Sequence, residues 1–405
     1  MKLHRNLCQA VVQSLRDVLL EKKQADLTIS HLLQSNKTWG ARDRNFIADN
    51  AYYIIRYKRW LEYVIQEEAW GENALWRLLG AKLVLEQVNL PDWSEFAELK
   101  PEEIKTRSQA DFIPFCIRDS IPDWLDKLGR NELGENWEAE IKALNTQARF
   151  SVRVNTLKTN KKVIETLFAA DQIEFSESVV ATDALIIQTR KNFRTNPAYK
   201  NGLFEIQDVS SQLVAPFLEA QPGMNVIDGC AGAGGKTLHL AALMQNEGEI
   251  LAVDVNEHKL AQLKLRAARA GCTILKPMLS SELNRSHQVL LQGFADRILI
   301  DVPCSGTGVL RRKPDAKWTI TKRFIDELLE TQAQILDEYA KMLHRDGLMV
   351  YSTCSILPSE NEWQIQKFLD RNPGQFILVE DRKISPSTTG FDGFYMAKIK
   401  RAQVI

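Results

Sequence analysis

Over the first 140 positions, apolar residues recur every three or four. RNFIADNAYYIIRYKRWLEYVIQ and NALWRLLGAKLVLEQV keep this spacing, which gathers their apolar side chains on one helical face. Pro91, Pro101, Pro114 and Pro122 punctuate the connections. An all-helical domain is expected over 1–140. The tryptophans in it, Trp39, Trp60, Trp70, Trp76, Trp93, Trp124 and Trp137, are expected to be core packing.

The pattern then changes. RFSVRVNTL and ALIIQTR read as strands, KKVIETLFAADQI as a helix, and YKNGLFEIQD as a turn followed by a strand, so a small α/β domain is expected over 141–205. From 206 to 405 the apolar strands MNVID, EILAVD, ADRILID, GLMVYST, FILVE and FYMAKIKR alternate with helical stretches such as EHKLAQLKLRAARAG and FIDELLETQAQILDEYAKML. That alternation predicts an α/β fold with a doubly wound, mostly parallel, Rossmann-like sheet. Ligands in such sheets bind beyond the carboxyl ends of the strands, so chemistry is expected in the loops that follow them.

A length of 405 residues agrees with two or three domains, and 44% hydrophobic with 26% charged residues agrees with a globular, soluble class. The formal net charge is zero, which argues against a polycation but leaves room for a local basic face. One such region includes Arg149, Arg153, Lys158, Lys161, Lys162, Arg190, Lys191, Arg194 and Lys200, read equally well as a solvated surface or as an RNA-backbone contact. No run of about 18 apolar residues occurs, and the N-terminus lacks the continuous apolar stretch of a signal sequence. A cytoplasmic protein is expected. The six cysteines (Cys8, Cys116, Cys230, Cys272, Cys304, Cys354) form no CxxC pair or zinc-ligand cluster, so free thiols and no metal are expected.

The first strand of the sheet runs into DGCAGAGGKT. Its glycines at 229, 232, 234 and 235 let backbone approach a ligand, and the helix that follows presents unpaired N–H groups. A Walker A reading fails because GxxxxGK[ST] requires glycine at 230, where Cys230 stands. The next strand ends at Asp254, 18 residues beyond Lys236, at the spacing of an acidic residue that accepts hydrogen bonds from ribose hydroxyls. Cys230, Ala231, Gly232, Ala233, Gly234, Gly235, Lys236 and Asp254 are therefore candidates to hold an adenosine-containing cofactor. Loop and aspartate alone do not choose between a dinucleotide and S-adenosylmethionine.

The strand ADRILID runs into Asp301-Val302-Pro303-Cys304 and the strand GLMVYST into Ser352-Thr353-Cys354. If these strands are neighbours, both thiols reach one crevice. Carbon 5 of a pyrimidine is too weak a nucleophile to attack a sulfonium methyl group unaided. A thiolate adding to carbon 6 makes an enamine whose carbon 5 can take the methyl, after which loss of the carbon 5 proton expels the thiolate. Attack and elimination can be divided between two thiols, with Asp301 hydrogen-bonding the cytosine edge. Arg311, Arg312, Lys313 and Lys317 then read as a basic loop for RNA phosphates, with Trp318 available to pack or stack.

DGCAGAGGKT, DVPCSGTGVLRRKPDAKW and YSTCSILPSENE resemble the motifs of the Sun/Fmu family of RNA cytosine-5 methyltransferases, which includes RsmB and the nucleolar NOP and NSUN proteins. SVRVNTLK and GFYMAKIK resemble further family segments, so the likeness covers about residues 145 to 405. The helical N-terminus is similar in general character to the NusB-like, RNA-binding domain of bacterial members. The resemblance implies S-adenosylmethionine as cofactor, Cys354 as the nucleophile, Cys304 assisting release of the methylated RNA, Asp301 on the base and cofactor side, and Asp254 on the cofactor ribose. It also implies Lys236 near the reacting atoms and an RNA-recognition-like role for the small α/β domain. Two departures stand out. The family's Cys-Ala-Ala-Pro-Gly-Gly-Lys is here Cys-Ala-Gly-Ala-Gly-Gly-Lys, and Ser280 or Ser281, with Glu282 nearby, occupies the place of an aspartate that contacts adenine.

By the same resemblance ribosomal RNA is the first expected substrate and transfer RNA the second, with a monomer as the default state. Two other readings share the sheet. A non-catalytic RNA-binding assembly factor would not need both cysteines, and a dinucleotide dehydrogenase would need the GxGxxG that this loop lacks.

Overall fold

The computed structural model describes residues 3–189, 191–283 and 285–402, so Arg190 lies outside the described residues. The chain divides into two compact units. The first runs to Thr146 and also takes in Leu310–Lys322. Up to Leu144 its regular elements are helices. The helical pattern over 44–66 is carried by two helices, Ala41–Arg56 and Lys58–Ile65, divided at Tyr57, whose ψ of 27° leaves the helical range. Leu15, Ile47, Ile54, Leu75 and Leu79 are fully buried in the core between these helices. Trp76 packs edge-on against Trp93 and Phe96, and Trp137 is buried with its Nε1 donating to Asp126 at 2.7 Å. Trp70 departs from the core reading, at 82% exposed.

The second unit holds two sheets. The smaller contains β1 (Phe150–Val154), β2 (Phe175–Glu177), β3 (Ala184–Ile187) and β4 (Phe204–Ile206) in the order β2-β3-β1-β4, all antiparallel. The helix Lys161–Ala170 buries Ile164 and Phe168 against it. The larger contains β5 (Asn225–Asp228), β6 (Glu249–Asp254), β7 (Leu275–Leu279), β8 (Ala295–Asp301), β9 (Leu343–Thr353), β10 (Phe376–Ile384) and β11 (Phe394–Arg401), in the order β10-β11-β9-β8-β5-β6-β7. β5, β6, β7, β8 and β9 pair in parallel, and β11 pairs antiparallel with both β9 and β10, as the mostly parallel expectation requires.

Strand geometry explains why nearly every residue of the central strands is apolar. Successive side chains leave a strand on opposite faces, and both faces here are covered. Ile227, Ile298, Ile300, Met349 and Tyr351 pack on one face with Leu336 and Phe368 of the helices Lys322–Tyr339 and Glu362–Arg371. Val226, Leu299, Val350 and Met396 pack on the other with Val214, Phe217, Leu240 and Ala241 of the helices Val209–Phe217 and Thr237–Leu243. The strand order reverses at β5, which has β6 on one side and β8 on the other, and loops leaving these strands part in opposite directions and open a crevice.

Two groups expected at an RNA-facing surface are interior. Lys317 is 1% exposed inside the helical unit, where its Nζ donates to Asn145 Oδ1 at 2.6 Å and to the Arg56 carbonyl at 3.2 Å. Arg311 is buried too and donates to the Ala143 carbonyl at 3.2 Å, while its own carbonyl accepts from Arg56 at 2.8 Å. Charge runs can serve main-chain carbonyls as well as phosphates, and here these two groups satisfy helix ends. Trp318 packs with them, donating to the Ile55 carbonyl at 2.7 Å. Of the four basic residues, Lys313 is exposed and Arg312 half-buried. Arg153 of the second unit, a candidate for backbone contact, is also buried.

Candidate active site

A cavity of about 720 Å³ lies at the carboxyl ends of β5, β6, β7 and β8. Its wall includes Gly229 to Ala233, Gly235 and Lys236 from the loop after β5, then Asp254, Ser280, Asp301 and Pro303 from the ends of the neighbouring strands. Gly234 alone of the expected loop residues faces away from it. With φ +87° it occupies a conformation that other residues avoid, and a Cβ there would lie 2.0 Å from Leu263 Cδ1.

Two arginines brace this loop from behind. Arg153 donates to the Gly235 carbonyl at 2.8 Å, and Arg266 to the Ala233 carbonyl at 2.7 Å. Ala233 stands where a proline is usual in the resembled motif. Asp254 closes it from the other side: Oδ2 accepts the Gly232 N–H and Oδ1 the Asn256 N–H, both at 2.8 Å. Each oxygen keeps a lone-pair direction for a further donor. At the end of β7 it is Ser280 that lines the cavity, while Glu282 accepts from the Leu279 N–H at 3.3 Å.

Asp228 is buried at the foot of the loop. Thr237 donates to its Oδ2 at 2.7 Å, whereas its Oδ1 has no hydrogen-bond partner. Burial pushes its carboxyl up to about 7, against the pull of the Thr237 bond and of Lys236. The Lys236 ammonium pairs with Asp301 Oδ2 at 2.5 Å and lies 5.2 Å from the Phe394 ring centre. Ser352 of β9 donates to the other Asp301 oxygen at 2.8 Å, so Asp301 is oriented from both sides.

β8 and β9 are paired in parallel, with Asp301 opposite Ser352, and their loops bring Cys304 Sγ and Cys354 Sγ to 3.2 Å. Both are free thiols. The Cys304 thiol is held well above its ordinary range, first by its hydrogen bond to Cys354 and then by burial, with the Cys354 and Glu360 charges adding to both. Main chain locks the two loops together, as the Gly308 N–H donates to the Cys354 carbonyl at 2.9 Å and the Gly393 N–H to the Gly308 carbonyl at 2.8 Å. A Cβ on Gly308 would meet the Gly393 oxygen at 2.2 Å, so only glycine permits this approach.

The sequence reading did not single out Glu360, Gln332 or Thr307. Glu360 lies six residues after Cys354 within SENE and is fully buried. Thr307 Oγ1 and Ser355 Oγ are 2.9 Å apart, linking the two cysteine loops a second time. Polar residues clustered within a few positions of each cysteine were the available signal. Among the described residues, no group of three or more His, Cys, Asp or Glu side chains could hold a metal ion, and no helix is long and apolar enough to cross a membrane.

A family model for 16S rRNA methyltransferase RsmB/F matches residues 215–400, and one for the ferredoxin-like domain of RsmF/B-like methyltransferases matches residues 121–194. Ribosomal RNA small subunit methyltransferase B of Citrobacter koseri is 34% identical over 297 residues, covering 72% of this chain and 68% of that protein. The protein of the same name from Vibrio cholerae is 33% identical, covering 69% of this chain and 65% of its own length, so the chain spans just under two thirds of that relative. The crystal structure of PH0851 superposes with a TM-score of 0.82 over 99% of each chain at 22% identity, which bears on the fold alone. The family model spans the larger sheet from just before β5 nearly to the end of β11, and the Citrobacter relative is matched over more than two thirds of its length; the chain belongs to the 16S rRNA methyltransferase RsmB/F family.

Proposed function

We propose that this chain is an S-adenosylmethionine-dependent RNA cytosine-5 methyltransferase acting on ribosomal RNA, with Cys354 as nucleophile. The observation that carries the proposal is the pair of thiols 3.2 Å apart at the ends of adjacent parallel strands, next to a cavity walled by a glycine-rich loop and three aspartates. The residues present fit the cofactor. Asp254 has acceptor capacity for ribose hydroxyls, the loop N–H groups and Lys236 suit a carboxylate, and the partnerless Asp228 Oδ1 suits a cationic amine. When bound, S-adenosylmethionine supplies the electrophilic methyl group.

The chain's own residues then have distinct tasks. Cys354 adds through sulfur to carbon 6 of the cytosine and makes carbon 5 nucleophilic. Asp301, fixed by Lys236 and Ser352, holds the base edge as charge builds on the ring. Cys304 assists the elimination that frees methylated RNA from Cys354. The names of the curated relatives favour ribosomal over transfer RNA. The helical residues 1–140 and the small α/β region 141–205 are assigned to RNA holding, and Lys313 remains as an exposed cation for phosphate contact.

Bisulfite sequencing of RNA from cells with and without the gene tests the reaction and its target together. The expected result is one or a few cytosines in small-subunit ribosomal RNA that lose protection when the gene is absent. With purified protein, Cys354→Ala is expected to abolish methyl transfer, and Cys304→Ala to accumulate a protein–RNA adduct. Normal methylation by Cys354→Ala would overturn the assignment of the nucleophile.

A further inference from the structure

Glu360 lies at 0% exposure in the middle of the second unit, outside the cofactor cavity. Its Oε1 accepts the Ser305 N–H at 2.8 Å and Gln332 Nε2 at 3.1 Å, and its Oε2 accepts the hydroxyls of Ser355, at 2.5 Å, and Ser305. These four donors are all uncharged. A carboxylate is an acceptor-only group, so four donors on two oxygens satisfy it as the anion and hold a negative charge inside the protein. Ser305 directly follows Cys304, and Ser355 directly follows Cys354. One carboxylate therefore grips the residue after each thiol.

The grip is itself fixed. Gln332 also donates to the Pro303 carbonyl at 3.0 Å, and its own oxygen accepts from Gln364 at 3.2 Å. Tyr351 of β9 donates to the Glu360 carbonyl at 2.6 Å, and Asn361 donates to the Ser355 carbonyl at 3.0 Å. The contacts with the two loops differ in kind. Glu360 binds the main-chain N–H immediately after Cys304, but reaches the Cys354 loop only through a serine hydroxyl. That main-chain contact sets the Glu360 charge beside Cys304, and a nearby anion disfavours a thiolate.

The geometry points to Glu360 as a positioning residue that sets the spacing of the two thiols and biases the proton they share toward Cys304 Sγ, leaving Cys354 Sγ as the nucleophilic thiolate. The inference rests on the proposed roles of the two cysteines. Other titratable groups facing the pair are Tyr351, held by its bond to Glu360, and Asp301 with Lys236 at the end of β8. Asp301 and Lys236 neutralise each other locally, so Glu360 is the charge whose removal is felt.

Glu360→Gln keeps the size and can keep four hydrogen bonds, because the serine hydroxyls can turn to accept from its amide, but it removes the charge. The measurement is site-resolved iodoacetamide labelling of Cys304 and Cys354 against pH, read by mass spectrometry on the full chain without RNA. In the native chain labelling should fall mainly on Cys354. In Glu360→Gln the pH midpoint for Cys304 should drop by about one unit, and labelling should divide between the thiols. Glu360→Ala, which also releases both loops, should lower kcat for methyl transfer by at least about 10-fold with KM for RNA little changed, and Glu360→Asp should recover part of it. Unchanged labelling profiles in a folded Glu360→Gln protein would overturn the inference. Altered labelling in a chain that transfers no methyl group would uphold the positioning role and sink the proposed reaction instead.

Discussion

At the scale of single residues, burial decides what a charged side chain can do. Arg153 and Lys317 come from sequence stretches as basic as any exposed surface, yet each is buried and donates to a carbonyl inside the protein. Asp228 shows the same effect on a proton. Burial pushes its folded carboxyl up to about 7 against 3.8 for the free group, so between these values the folded protein holds a proton that the unfolded chain has lost. The stability it contributes is present in full below about pH 4 and disappears as the pH rises to 7. Melting temperatures of the native chain should therefore fall relative to Asp228→Asn across that range; parallel curves would contradict the assignment.

At the scale of elements, the site depends on two loops meeting more closely than side chains would permit. Gly308 donates to the Cys354 carbonyl, and its Cα faces the Gly393 backbone. Gly308→Ala has no far end of a flexible side chain to push aside, since the atoms it would strike are main chain. A loss of about 1–3 kcal/mol in denaturant unfolding is expected, together with a wider separation of the thiols and slower methyl transfer. A variant of native stability and rate would show that the loops can part without consequence. The central strands were legible because their apolar runs are covered on both faces, which leaves no polar alternation to blur them. β2, three residues long and only partly buried, left no such trace.

At the scale of the whole molecule, contacts between distant stretches determine what the local patterns become. Glu205 of β4 is 2% exposed and pairs with Arg266, at 2.8 Å, and with Arg269 of the helix Glu257–Ala270, joining the smaller sheet to the layer that covers the larger one. Glu205→Gln leaves two guanidinium groups without their anion and should cost roughly 3 kcal/mol of unfolding free energy. A change within error would mean that this ion pair does not hold the two sheets together. Lys317 reports on the helical unit. Three carbonyl-type acceptors suit its ammonium, but burial, with the nearby Arg56 charge, lowers it to about 7. Between 7 and 10.5 the unfolded chain binds the extra proton, so stability should rise with pH through this lysine, and Lys317→Met should flatten that rise.

The sequence alone determined the order of elements, the parallel sheet and the short segments at its strand ends, because hydrophobic period and glycine spacing are local properties of the chain. It also determined that two cysteines follow consecutive strands. Whether they meet was decided by the pairing of β8 with β9 and by the loop contacts at Gly308, which join residues about 50 positions apart. Only tertiary structure could place Glu360 beneath both thiols, or turn the charges at Arg153, Arg311 and Lys317 inward. A carboxylate or a guanidinium reads the same in sequence whether it faces water or a buried carbonyl, and the difference is made by what packs around it.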